Sequence, residues 1–531
     1  MKRKQAVVIV VSLLAAVFCL GGCKGKSQGA GSSAGNADAG NSFAEKIELS
    51  VAMWGIGEAF NDPNAKNDTI YNALSEKFNV TIKPIQVTWN DWQEKSRIWA
   101  ASDQLPDLFI ADAPAGQYNT WATQGVIKAL PDDLSKFPNI QAVMAQPSVK
   151  PLAVDGKFYK FPRMTYATAN DWVNDRNIIY RKDWLKQAGY DHQPQSFEEF
   201  VEMSKKVMAQ HPGAVGISSH HHEYLAIFML GIYPEGGKRN VWAKEDGLWK
   251  PNYATRGFAQ GVAQLRTLYK EGILDPDFAL LKDEEGVAKY MNGKAFGVLS
   301  GTVRWSYEEA WKAANPGITA EEAIGFMDIW PAPDGNRYYF SETPYWSETM
   351  FNGKLSDKKM ERALYLLDYM YSDEYQVQKA NGVEGVDFTI DNGAYVSLLP
   401  EGESLGKKYP ITNSMGSLSA WGGWLPYVGK QVISTDPYVA YTDRLNIENL
   451  NYKKATAKPM PVNYDIKLMS TPAKDKASSL DIDSTTDTVR VIMGNQDPIA
   501  MWQEVIKSYE GRGMAEAIKE VNEKAKELGI Q

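Results

Sequence analysis

The chain has 531 residues, of which 44% are apolar and 23% charged, so it carries ample material for large cores and is not a disordered polymer. Its formal net charge is −8 and its sequence pI about 5.5, which argues against a nucleic-acid partner, since that needs a basic surface. The cysteines are Cys19 and Cys23, so the remainder holds no disulfide scaffold, cysteine-ligated zinc, iron–sulfur cluster or thiol nucleophile.

The first 22 residues read as an address rather than as structure. Lys2, Arg3 and Lys4 precede an apolar run from Ala6 to Leu20, too short to span a bilayer permanently. The run ends in Leu20-Gly21-Gly22-Cys23, which resembles the bacterial lipobox, and lipid attachment at Cys23 is expected. Between residues 24 and 44, 14 of 21 residues are Gly, Ser or Ala, so 23–46 is expected to be a flexible tether behind the lipidated cysteine.

Ile47, Leu49, Val51 and Met53 alternate with polar or small residues, which predicts a strand with one buried face. Val80 and Ile82 alternate likewise, and Ile85, Val87 and Trp89 resume after Pro84. Leu108-Phe109-Ile110 is a short continuous run suited to a strand buried on both faces. Helical patterns lie between them, at Thr69–Phe78 and at Asp91–Ala101 behind a possible Asn90 cap. This succession predicts a parallel α/β sheet. Further on, Ser196-Phe197-Glu198-Glu199 has capping-box spacing ahead of a stripe through Phe200 and Val207. Phe258, Val262, Leu265 and Leu268 form a second stripe, stopped by Gly272, and Met360, Ala363, Leu364 and Leu367 a third. Two amphipathic stretches, from Met501 to Tyr509 and from Met514 to Leu528, end the chain. No fixed-period repeat and no sharp linker divides the body, which fits two α/β lobes joined by several chain crossings.

Gly156-Lys157-Phe158-Tyr159-Lys160-Phe161-Pro162-Arg163 followed by Ile178-Ile179-Tyr180-Arg181-Lys182-Asp183-Trp184-Leu185 resembles a signature of the extracellular solute-binding proteins of ABC importers, sugar-binding group. Leu105-Pro106-Asp107-Leu108-Phe109, Pro194-Gln195-Ser196-Phe197-Glu198-Glu199-Phe200, and the stretch from Ala295-Phe296-Gly297-Val298 to Arg304-Trp305 are similar to further elements of that family, in the same order. Ile492-Met493-Gly494 resembles the long-chain subgroup typical of spore-forming Gram-positive bacteria. Ser196-Phe197 and Ala295-Phe296 depart mildly from the family's Thr-Trp and Ala-Met, which leaves the ligand open. The resemblance implies an α/β, two-lobed, periplasmic-binding-protein-like fold of type II with discontinuous lobes joined by a hinge. Lobe one would be 47–168 plus 342–400, and lobe two 169–341 plus 401–531. It also implies a monomer with an oligosaccharide ligand, ABC permease subunits as partners, a membrane reached through the lipid anchor, no cofactor and no catalysis. A surface lipoprotein glycosidase and a glycan sensor for a membrane kinase stay open as alternatives.

Ligands of open α/β sheets sit beyond the carboxyl ends of strands, which selects Trp54 for stacking and Asp112 for paired hydroxyl contacts. Core packing for Trp54 and helix capping for Asp112 are the competing readings. Aromatics in loop-like sequence add Trp172 beside Asn170, Trp305 beside Arg304, Trp330, Trp346, Trp421 and Trp424, because indole faces suit the C–H faces of pyranose rings. For any one of these tryptophans the core is the commoner place. Arg163 and Arg304 are candidates for a hydroxyl or carboxylate fork, with surface salt bridging the alternative. His220-His221-His222 is expected in a solvent loop rather than on a metal. The sequence has no G-x-S-x-G and no Walker A loop, Gly55-Ile56-Gly57 lacks the third glycine of a dinucleotide turn, and Lys66 breaks a calcium-like loop begun at Asp62.

Overall fold

The computed structural model describes residues 43–530 except 114, 167, 239–240, 283, 305–306, 401–402, 421–431, 433, 435 and 480–483. Two sheets organise it. The first is built from β1 (Ile47–Trp54), β2 (Val80–Val87), β3 (Leu108–Ala111), β4 (Lys160–Met164) and, far later in the chain, a strand at Tyr345–Phe351. The second takes β5 (Asn177–Arg181), β6 (Val215–Ser219), β7 (Ala295–Ser300) and β8 (Ile324–Met327); the late strand of the first sheet is then β9. The order is β2-β1-β3-β9-β4 in the first and β8-β5-β7-β6 in the second.

The early part of the first sheet is parallel as its pattern predicts, with Ile47 opposite Val80 and Val51 opposite Leu108. The sheet as a whole is mixed, because β9 returns antiparallel to both β3 and β4. Pro84 does not divide the second strand. β2 runs unbroken with Pro84 opposite Val51, and it lies at the sheet edge, where a missing N–H costs no ladder bond. The helix Thr69–Lys77 is capped by fully buried Asp68, which accepts from the Tyr71 amide at 2.9 Å. Asp68 also accepts from the Thr412 amide at 2.7 Å and its hydroxyl at 2.6 Å, which fastens the helix Pro410–Met415 to the first-sheet side. The helix Trp92–Ser102 starts after Asp91 rather than Asn90, and Asp91 accepts from the Thr88 amide instead of capping.

The second sheet carries an extensive core. The helix Phe197–Gln210 starts at Ser196, whose hydroxyl accepts from the Glu199 amide at 3.1 Å, while Glu199 reaches back to the Gln195 amide at 2.6 Å, one residue beyond a reciprocal box. The stripe Phe258, Val262, Leu265 and Leu268 is buried on helix Arg256–Lys270, and Trp502 of helix Pro498–Tyr509 packs on Phe258 at 5.2 Å. Among the described residues no helix is long and apolar enough to cross a membrane.

The chain passes between the sheets near 165–172 and again near 339–344, and the two passages are stitched together. The Thr165 and Tyr166 amides donate to Pro344 O at 2.9 and 3.0 Å, Ser341 Oγ to Ala169 O at 2.9 Å, and Trp172 Nε1 to Thr343 O at 2.8 Å. A third link lies away from this hinge. Asn119 on helix Ala115–Thr123 donates to Ser470 Oγ at 3.2 Å, and Gly116 lies so close to Asp475 that a Cβ there would be 3.0 Å from the Asp475 Cβ. The lobes are therefore in contact across the space that faces the carboxyl ends of β1 and β3.

Candidate functional site: an aromatic wall facing a charged wall

β1 ends at Trp54, and Gly55, with φ +77°, turns the chain into the helix Ile56–Asn61. The Trp54 ring meets Trp89 at 4.8 Å and Trp92 at 5.0 Å, both edge-on, and Trp346 at 5.7 Å. Trp92 is buried, Trp54 and Trp346 are half-buried, and Trp89 keeps 43% of its surface. Trp346 arrives through an irregularity in β9. The pairing with β4 shifts between Tyr345 and Glu348, and Ser347 takes φ +56°, a left-handed conformation costly for a residue with a Cβ. The bulge re-aims the indole onto the cluster.

Arg163 lies under this platform, fully buried, with its guanidinium carbon 4.9 Å from the Trp54 ring and 5.9 Å from that of Trp346. It donates to Ser417 O and Ser347 Oγ, and at 3.5 Å to Trp346 O. Burial pulls its pKa down, and the charge is stabilised by the two ring faces and these oxygens. The fork expected to meet a ligand thus props the stacking surface from below.

The opposite wall is charged. Lys238 and Lys467 both pair with Glu342, which sits in the second hinge passage and also accepts from the Thr343 amide at 2.7 Å. Burial pulls the Lys467 ammonium down to about 8, against the charges of Asp112 and Glu348. Burial likewise lowers Lys238, helped by the neighbouring charges of Lys467 and Arg176 and opposed by Asp112 and Asp175. Asp112, exposed at the end of β3, thus acts on both lysines through its charge. Glu348 is buried beside Lys160 at 3.4 Å, and burial raises its carboxyl despite that lysine. Arg176 pairs with Asp175 and covers the Tyr224 ring at 3.9 Å. A recess of about 10 Å³, room for one water, is lined by Gln93, Arg97, Asp112, Gln117 and Trp121.

At the carboxyl end of β7, Arg304 is exposed and bonds Glu284 at 3.0 Å, with the Tyr307 hydroxyl on the other oxygen at 2.9 Å. Glu284 has φ +70°, and its amide donates to His220 Nδ1 at 3.3 Å. His220 is mostly buried rather than in a solvent loop, because it closes this turn, and His221 Nδ1 accepts from the Glu223 amide. Among the described residues no group of three or more His, Cys, Asp or Glu is placed to hold a metal ion.

Of the residues selected from sequence, Trp54, Trp346 and Arg163 come together, and Asp112 faces them from the neighbouring strand of the same sheet. Trp172 and Trp330 do not join them. Trp172 is buried at the hinge with its N–H on Thr343 O, and Trp330 is buried among Phe197, Phe200 and Phe228, with Gly231 packed against its ring. Asn170 is exposed in the first turn after the hinge. Trp305, Trp421, Trp424, Cys23 and the tether lie outside the described residues. Sequence reading missed Trp89, Trp92, Tyr224, Lys238, Glu342 and Lys467. The strand-end rule that selected Trp54 would have found Trp89, two residues beyond β2; nothing local marks the lysines.

Comparison with known proteins supports this architecture. Lipoprotein LipO of Bacillus subtilis (strain 168) is 25% identical over 341 residues, which is 61% of this chain and 65% of that protein. The chain thus spans just under two thirds of that relative. The polygalacturonan/rhamnogalacturonan-binding protein YtcQ of the same organism is 21% identical over 407 residues, 73% of this chain and 75% of that one. Among solved structures, alginate-binding protein AlgQ2 without calcium ion has a TM-score of 0.69 at 17% identity, covering 91% of this chain and 98% of that chain. The ABC-transporter substrate-binding protein FusA of S. pneumoniae, in complex with kestose, has a TM-score of 0.67 at 18% identity, covering 91% and 99%. The fold is thus the two-lobed α/β fold of substrate-binding proteins. Residues 69–386, more than half the chain, match the bacterial extracellular solute-binding protein family, and the chain belongs to that family.

Proposed function

We propose that this protein captures an oligosaccharide between its lobes and presents it to the membrane permease of an ABC importer. The observation that carries the reading is the cluster of Trp54, Trp89, Trp92 and Trp346 at the carboxyl edge of the first sheet, a partly exposed stacking surface held by a buried guanidinium. Pyranose C–H faces stack on such a surface, and Asp112 beside it supplies acceptors for the hydroxyls. The names of YtcQ, AlgQ2 and FusA, which bind polysaccharides or a kestose, support the same ligand class.

Ligand touching both walls stabilises the closed form over the open one, and this difference is the signal a permease reads. We propose lobe one at 47–168 plus 342–420 and lobe two at 169–341 plus 437–530; the boundary is put beyond 400 because Asp68 holds Thr412 on the first-lobe side. The protein acts as a monomer on the outer face of the cell membrane, held by a lipid on Cys23, and breaks no bond in its ligand. Intrinsic tryptophan fluorescence, titrated with a panel of oligosaccharides, tests the reading: a saturable change with one glycan class is expected. Silence across the panel, with folded protein, overturns it. Mass spectrometry of the titrated glycans is expected to return them uncleaved, and labelled palmitate is expected in the wild type but not in Cys23→Ser.

A further inference from the structure

Two ammonium groups converge on one carboxylate at the base of the cleft. Lys238 follows the short helix Pro234–Gly237, Lys467 lies on helix Tyr464–Leu468, and both reach Glu342 on the hinge passage. Among the described residues Glu342 is the one acceptor that either ammonium reaches. Each ammonium has three N–H donors, and the Glu342 carboxylate already accepts the Thr343 amide at 2.7 Å and hydroxyl at 3.2 Å. Donors therefore exceed acceptors, and two like charges sit side by side.

Access is asymmetric. Glu342 keeps 3% of its side-chain surface, whereas Lys238 keeps 29% and Lys467 17%. The carboxylate is sealed into the hinge, whereas each lysine keeps part of its surface open. Beyond Glu342, the anionic charges felt by the lysines are Asp112 and Glu348, which belong to the other lobe, and Asp175. When the lobes separate, Asp112 leaves with the first, and the two second-lobe lysines are left with one carboxylate, that of Glu342 in the hinge. A wall with one uncompensated positive charge and spare donors, opposite a tryptophan platform, suits a sugar ring bearing an anionic substituent.

We infer that Lys238 and Lys467 form a carboxylate-reading subsite, and that the oligosaccharide captured here is acidic, with a uronate whose carboxylate shares the two ammonium groups with Glu342. This deepens the oligosaccharide reading and rests on it. Asp112 is then freed from the lysines to take hydroxyls of the same ligand.

The test uses chemical twins on the intact binding protein: galacturonate, mannuronate and glucuronate oligosaccharides, each against its carboxyl-reduced neutral form of equal length and linkage. Calorimetry is expected to show one acidic series binding at least tenfold tighter than its neutral twin. Lys467→Met is expected to weaken the acidic series at least fivefold more than its neutral twin, in protein shown by circular dichroism to be folded. Twins of equal affinity overturn the inference without any variant, and so does Lys467→Met weakening both twins alike. Binding of some other, neutral glycan with no response to any uronate overturns the acidic subsite and leaves the oligosaccharide reading standing. Silence to every glycan overturns both.

Discussion

The two walls of the cleft use opposite chemistries and are held in opposite ways. The first-lobe wall is aromatic: Trp54, Trp89 and Trp346 present ring surface, and the Arg163 guanidinium is buried beneath them and bonded to protein oxygens. The second-lobe wall is ionic: Lys238 and Lys467 keep part of their surface open, and their partner Glu342 is the group that is buried and shared. Ring faces are tolerant of which hydroxyl points where, so stacking supplies affinity with little selectivity. Charged donors are directional and penalise a ligand that leaves them unpaired, so they select. Each wall can therefore be altered separately, and the consequences should differ in kind.

The largest effect is expected at the support of the aromatic wall. Arg163→Met removes the cation under two indoles and leaves the Ser417 carbonyl without its donor, which should lower unfolding free energy by about 3 kcal/mol and abolish binding of every glycan. Urea denaturation with tryptophan emission measures the first, and calorimetry the second. Next, Trp346→Ala removes half-buried stacking surface and should weaken acidic and neutral sugars equally, by about 30-fold for a hot-spot aromatic. A loss confined to acidic ligands would contradict the division of labour between the walls.

A smaller effect is expected where the lobes touch. Gly116→Val pushes a side chain into Asp475, so the closed state should be disfavoured by about tenfold in affinity, in the range of ordinary overpacking. Small-angle scattering should then show less ligand-induced contraction than in the wild type, with an unchanged melting temperature for the free protein. The smallest effect is a pH dependence carried by the ionic wall alone. Burial holds Lys467 near 8, so affinity for an acidic trimer should decline a few-fold as pH rises through that value, while the neutral twin stays level. The stability of the free protein should move the other way. The unfolded chain still binds these lysine protons between pH 8 and the ordinary lysine range, and the native state has shed them, so Lys467 and the likewise buried Lys379, Lys453 and Lys474 add stability as pH rises in that window. Thermal melts at pH 7.5 and 9 measure this.

Local patterns made most of the fold legible. Alternation marked β1, the run Leu108–Ile110 a strand buried throughout, and apolar stripes the helices that begin at 197, 256 and 357. The antiparallel return of β9 was not legible, because nothing around residue 345 encodes a partner near residue 110. The site divides in the same manner. Trp54 could be selected because strand ends face ligands. Trp330 could not be told from it, since only Gly231 and three phenylalanines brought from elsewhere in the chain make it a core residue. The placement of Trp346 depends on a bulge at Ser347 that no neighbouring residue announces, and Lys467 meets a glutamate 125 residues away.

The strand order of the first sheet bears on how the chain can fold as it emerges from one end. β9 lies between β3 and β4, yet it follows both by some 180 residues or more, and the whole second sheet is encoded in between. Until residue 351 is available, β3 and β4 cannot be joined, and each exposes an edge with unpaired backbone groups. The second sheet, whose strands all lie within 177–327, can close first. The first-synthesised sheet is thus the later of the two to be closed, which keeps the leading part of the chain open while the second sheet forms.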